Sequence, residues 1–129
     1  LDHFSNQHLH FFYDIDTCLK EYSIDVLLLS SVVQYLENPY SFLNDILKKN
    51  IKYILIDRTP IQFSGKDIIT IQRVPKNIYK ASYPCWVFNE QYILTVLSKE
   101  YNLVFETECD ERINMNNSYF KAYFFEKKD

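Results

Sequence analysis

Glycine is nearly missing: Gly65 is the only one in 129 residues, against a usual share of about 7%. Glycine-rich phosphate and dinucleotide loops need backbone conformations that only glycine adopts cheaply. Neither a GxGxxG turn nor a P-loop can therefore lie within this chain. Cysteine is scarce too. Cys18, Cys85 and Cys109 are odd in number, widely spaced and form no CxxC, which fits a reducing compartment, the cytoplasm, better than a disulfide framework. No apolar run approaches the roughly 20 residues needed to span a bilayer, so no membrane partner is expected. Excess positive charge is also absent. The net charge of −3 offers no basic footprint for nucleic acid. The start, Leu1-Asp-His-Phe4, has no basic and then apolar region, so it does not read as a signal peptide. With no initiator Met, it reads as a trimmed chain or a fragment.

What is present describes a single α/β domain, residues 1–129. A chain of this length buries roughly two-thirds of its unfolded surface. Aromatics make up 17% of it, so an aromatic core with tyrosine hydroxyls at its edge is expected. Leu9–Phe12 is a short strand candidate, and Asp14 or Asp16 can cap a short helix running to about Tyr22. Asp25–Leu29 is an apolar run without polar alternation, as for a strand covered on both faces. It ends abruptly in Ser30-Ser31. Asn38-Pro39 is a helix start, and Phe42, Leu43, Ile46 and Leu47 repeat at helical spacing. Tyr53–Asp57 is a second buried strand, completing a βαβ unit. Residues 58–88 hold Pro60, Pro75 and Pro84 and read as a long functional loop, with one short strand at Ile68–Gln72. Asn89 caps a further helix. Leu103–Thr107 and Tyr119–Glu126 read as an antiparallel pair at a sheet edge.

This order resembles the carboxyl-terminal half of a class I S-adenosylmethionine-dependent methyltransferase. It is most similar to a methyltransferase family often associated with bacterial surface-polysaccharide gene clusters. The resemblance rests on Asp25-Val-Leu-Leu-Leu-Ser-Ser-Val-Val-Gln-Tyr-Leu-Glu-Asn-Pro-Tyr40, Tyr53-Ile-Leu-Ile-Asp-Arg-Thr-Pro60 and Ile78-Tyr-Lys-Ala-Ser-Tyr-Pro-Cys-Trp86. It implies a partial Rossmann-like sheet, the equivalents of strands three to seven, lacking the first two. Leu9–Phe12 would be the third strand, Asp25–Leu29 the fourth and Tyr53–Asp57 the fifth. S-adenosylmethionine is the implied cofactor, with its adenine edge near Asp14 and Ile15 and its rim at Ser30 and Ser31. Gln34 and Tyr35 would lie on the acceptor side. The glycine-rich turn of such enzymes would lie outside this chain, leaving the cofactor site incomplete here. Strands one and two would normally separate the third and fourth. Without them one edge of the Asp25–Leu29 strand needs another cover: Leu9–Phe12, a second copy forming a homodimer, or irregular chain.

Several residues carry candidate chemistry of their own. Methyl transfer depends on holding two reactants in line, and Ser30, Ser31, Gln34 and Tyr35 can line that boundary or merely cap the turn. Arg58, with Thr59 beside it at the end of a strand, can clamp an anionic acceptor such as a phosphosugar, or pair with Asp57. Tyr79, Tyr83 and Trp86 can stack on a sugar or base, or pack back on the sheet. Cys85 has no base partner to activate it. His8 and His10 share a strand face, with His3 nearby, but no second ligand cluster follows, so no metal is expected. Asp110-Glu111 reads as solvated charge. Two functions remain: part of a methyltransferase acting on a small molecule or saccharide precursor, or a non-catalytic remnant that folds as a dimerisation module.

Overall fold

The computed structural model describes residues 4–129, so His3 lies outside the described residues. Helix α1 is Ile15–Glu21, β1 Val26–Ser30, α2 Pro39–Leu47, β2 Tyr53–Gln62, β3 Ile68–Arg73, β4 Ser82–Asn89, α3 Glu90–Leu97, β5 Tyr101–Glu108 and β6 Ser118–Lys127. A 3₁₀ turn, Val33–Tyr35, joins β1 to α2. The six strands form one mixed sheet in the order β3-β4-β2-β6-β5, with β1 also paired to β2.

Local sequence explains most of these elements. Asp14 caps α1, accepting the Thr17 N–H at 2.7 Å, and Asn89 caps α3 by accepting from Tyr92 N at 3.0 Å. Such caps satisfy N–H groups that no helical carbonyl can reach. Pro39 takes the first position of α2, while the Asn38 side chain makes no capping bond. The lone glycine, at φ 82, serves the turn between β2 and β3.

β1, α2 and the first half of β2 form the expected parallel βαβ unit, in the register Val26↔Tyr53 through Ser30↔Asp57. Leu43 and Ile46 of α2 and Ile93 and Leu97 of α3 pack against Ile54, Ile56, Phe88, Tyr123 and Phe125 of the sheet. Fully burying each such side chain contributes about 1.5–3 kcal/mol. A polar cluster sits beside this core. Lys121 donates to Glu90, the Tyr123 hydroxyl donates to the same Glu90 oxygen at 2.8 Å, and Glu106 lies 3.3 Å from the Lys121 ammonium.

Four expectations are corrected. Leu9–Phe12 is not a strand; the chain there shows only a bridge between Asn6 and Leu9. His8 and His10 therefore share no strand face, and His10 stacks on Tyr22. β1 is not covered on both faces: Leu29 is buried, but Leu28 is 57% exposed and Val26 49%. The reason is that α2 and α3 cover one face, while α1 buries none of its residues completely. Residues 58–88 are not one long loop. β2 runs on to Gln62, and β3 and β4 form an antiparallel hairpin from Ile68↔Val87 to Arg73↔Ser82. Pro84 weakens the strand signal there. It is tolerated because β4 pairs with β2 only at Phe88 and Asn89, leaving one side of β4 without a partner strand at Pro84. Finally, Arg58 does not end a strand. β2 passes through an irregularity between Ile56 and Thr59 while staying paired to β6.

The terminal pair is as expected. β5 and β6 run antiparallel, and β5 is the outermost strand. Among the described residues no helix is long and apolar enough to cross a membrane.

Candidate functional site

β1 ends where β2 passes through its irregularity, and polar side chains occupy the rim they form. At the last register pair the Ser30 hydroxyl donates to Asp57 Oδ2 at 2.8 Å. Arg58 folds back over them, its Nε and Nη2 donating to Ser30 Oγ at 3.2 and 3.0 Å. Its Nε lies 3.5 Å from Asp57 Oδ2 and its Nη1 3.6 Å from Glu111 Oε1. Glu111 is thus not simply solvated charge. Sequence spacing could not place it here, because the β5–β6 connection returns to the rim only through the fold. The same connection brings the Cys109 thiol to 3.8 Å from Asp57 Oδ1, where burial raises its pKa.

The backbone under this cluster is unusual. Ser31 and Arg58 both adopt left-handed conformations, φ 53 and φ 49, which cost a non-glycine residue of order 1–2 kcal/mol. Hydrogen bonds hold them there. Ser31 N–H donates to Asp57 O at 2.9 Å, and Gln34 Nε2 donates to Arg58 O at 2.9 Å. Gln34 is 1% exposed, and its Oε1 is buried without a partner among the described residues. An unpaired buried acceptor costs about 1–3 kcal/mol, and such atoms call for an explanation.

Tyr35 extends the rim. Its hydroxyl donates to Gln72 Oε1 at 3.1 Å, and its ring meets Tyr83 edge-on, with centroids 5.5 Å apart. Burial, then the neighbouring Cys85 and Tyr83, raise its pKa. Beyond it lies an open cleft of about 630 Å³, within the usual size range of small-molecule sites. Arg73, Tyr79 and Tyr83 contribute one wall and Arg112, Met115 and Phe120 another.

The remaining candidates sit elsewhere or turn inward. Thr59 is fully buried, with its hydroxyl 3.4 Å from Asp57 O. Trp86 donates its indole N–H to Leu36 O at 3.1 Å and stacks on Phe88, so its ring packs back on the sheet. Asp14 uses its carboxylate at the start of α1, where the Thr17 N–H holds its pKa below the ordinary value. Ile15 packs partly against the core. Cys85 is 1% exposed and burial pushes its thiol up to about 11. The fold therefore brings together Ser30, Ser31, Gln34 and Arg58, with Tyr35 and Tyr83 adjoining. Asp57, Gln72, Arg73, Cys109, Glu111 and Arg112 also belong to the rim and cleft, and sequence reasoning did not select them as site residues. Among the described residues no three His, Cys, Asp or Glu side chains cluster as metal ligands would.

No family model matches the chain, and no curated protein sequence matches it significantly. Solved structures do. The N-terminal domain of EvdMO1 with SAH bound superposes with a TM-score of 0.54 at 11% identity, over 92% of this chain and 53% of that one. The same domain in the presence of SAH and D-fucose gives 0.51 at 12% identity, over 81% and 47%. This chain shares the fold of those SAH-bound domains. It spans about half the length of the chains it matches.

Proposed function

We propose that these 129 residues form the carboxyl-terminal half of an S-adenosylmethionine-dependent methyltransferase, chiefly its acceptor-side wall. β1 and β2 correspond to the fourth and fifth strands of a Rossmann-like sheet, and β5 and β6 to its terminal pair. The cofactor's glycine-rich turn is supplied by residues outside this chain, since the one glycine here serves the connection from β2 to β3. Ser30 and Ser31 meet the cofactor, with Asp14 and Ile15 toward its adenine edge. Gln34, Tyr35, Arg58, Tyr79 and Tyr83 frame the acceptor, a small molecule or saccharide precursor of the cytoplasm, while Thr59 and Trp86, turned inward, support that wall from behind. The three free cysteines are compatible with that compartment.

One observation carries this reading: a strained polar rim at the carboxyl end of β1, where its parallel pairing with β2 stops, on a fold shared with SAH-bound domains. Ligands in open α/β sheets sit beyond those strand ends, and left-handed non-glycine residues concentrate at functional sites. The orphaned Gln34 Oε1 offers an acceptor to a ligand N–H or O–H. The Asp57 carboxylate is engaged by Ser30 and Arg58, so the rim positions reactants rather than abstracting a proton. That suits an in-line transfer, where orientation is the main demand.

The test is titration of the chain with SAH, followed by amide resonances and calorimetry. Shifts at Ser30, Ser31 and Arg58 are expected, with an affinity weaker than about 100 μM, roughly −5.5 kcal/mol. Rim amides that stay still at saturating SAH overturn the cofactor-edge assignment. Binding much tighter than that overturns the idea that the cofactor wall lies elsewhere.

A second reading rests on the outer edge of β1. Among the described residues that edge has no partner strand, and Val26 and Leu28 are exposed beside it. A non-catalytic remnant that dimerises by strand addition would use this edge. Sedimentation over a wide concentration range distinguishes it, because a chain that stays monomeric while binding SAH excludes that role.

A further inference from the structure

The cleft between the β3–β4 hairpin and the β5–β6 connection is chemically unlike the rest of the chain. Acidic residues outnumber basic ones, 17 to 14, yet no Asp or Glu lines the cleft, while Arg73 and Arg112 enter it from its two walls. Arg58 is already held by Ser30, Asp57 and Glu111. Arg73 and Arg112, by contrast, make no ion pair among the described residues. Most of the remaining lining is aromatic or apolar, with Thr70, Gln72 and Asn114 as uncharged polar groups. Tyr79 is 57% exposed, and Tyr83 is braced edge-on by Tyr35.

We propose that this cleft binds a phosphorylated ligand of the nucleoside-diphosphate class. Guanidinium groups are planar forks that match phosphoryl oxygens bidentately. Two of them across one cleft suit two adjacent phosphoryl groups better than a single carboxylate. Tyr79 and Tyr83 supply faces for the base or sugar ring, and about 630 Å³ accommodates both parts. The anion is gripped here rather than by Arg58. Tyr35 joins the cleft to the rim, since its hydroxyl donates to Gln72, which itself lines the cleft. Calling the ligand the methyl acceptor rests on the methyltransferase reading; its binding does not.

The test uses the full 129-residue chain and three probes, UDP, uridine and pyrophosphate, titrated by calorimetry at low salt. UDP is expected to bind at least about tenfold tighter than either part alone. Arg73→Gln and Arg112→Gln, both at exposed positions, should each weaken UDP by roughly tenfold and leave uridine unchanged. Tyr79→Leu should weaken UDP and uridine together. UDP binding no tighter than uridine, or unaffected by both arginine substitutions, overturns the proposal. Pyrophosphate as tight as UDP overturns the ring contribution and with it the ligand class. UDP binding retained while SAH leaves the rim amides unmoved overturns the methyltransferase reading alone; the converse overturns this ligand alone.

Discussion

Replacing Lys121 by Met strips the charge from the most buried ion pair among the described residues, which ties β6 to the start of α3. The Lys121 side chain is 9% exposed and that of its partner Glu90 19%. Met keeps an unbranched apolar stem but also gives up the ammonium's approach to the rings of Phe63 and Tyr123, 5.7 and 5.3 Å from their centroids. Removing one partner of a buried pair costs about 3–5 kcal/mol, because the other charge is stranded. Two features reduce that here. Glu90 still accepts the Tyr123 hydroxyl, and the second partner, Glu106, is 46% exposed, where a pair is worth only about 0–1 kcal/mol. The expected loss is therefore about 2–3 kcal/mol. For a domain of this size that lowers Tm by roughly 6–15 °C. Urea unfolding read by circular dichroism measures it as a fall in midpoint at unchanged slope. Adding Glu90→Gln to Lys121→Met should restore about 1–2 kcal/mol by removing the stranded charge. A Lys121→Met protein within about 0.5 kcal/mol of the parent, the ordinary range for surface changes, would refute the reasoning.

Ser31 at φ 53 should accept Gly without loss. Relief of about 1–2 kcal/mol of left-handed strain offsets about 0.5–1 kcal/mol of added chain entropy, so Ser31→Gly is expected to be neutral or slightly stabilising. Ser31→Val should be clearly destabilising, since a β-branched residue tolerates that conformation poorly; equal urea midpoints for the two would contradict the strain. Stability should hold to about pH 9 and then decline. Burial raises the pKa of Cys85 from 9.0 to about 11 and raises those of Tyr40, Tyr101 and Tyr123 above 10.0. For Lys121 burial acts against the charge, but the hydrogen bonds to Glu90 and Glu106 win and raise it above 10.5. A raised folded-state pKa contributes stability that is intact below the unfolded value and lost as pH rises through the folded one. A urea midpoint that is constant or rising from pH 9 to 11 would count against these burials.

Where chain neighbours decide a structure, the sequence was a good guide. The Asp14 and Asn89 caps, Pro39 at the start of α2, the β1–α2–β2 unit and the β5–β6 pair are all local patterns of capping, periodicity and alternation. Failures occurred where distant pairing decides. Leu9–Phe12 has the aromatic content of a strand, but among the described residues no strand lies beside it to accept its hydrogen bonds. Ser82–Asn89 carries Pro84, which argues against a strand until β3 is seen to pair only one side of it. The site divided in the same way. Ser30, Ser31 and Gln34 follow from the abrupt end of an apolar strand. Glu111 and Arg112 reach the rim and cleft through a connection whose path is set by β6, so no local spacing marks them.

β2 changes partners along its length. β6 follows one side throughout, while the other side pairs with β1 up to Asp57 and with β4 from Ile61. No cut can therefore separate a β1 half from a β3–β4 half, because each would need the same strand. The sheet must gain and lose its order as one unit, and the left-handed residue at Arg58 marks the changeover. Amides of β2 should be among the last to exchange with solvent, and those on the outer edge of β1 among the first.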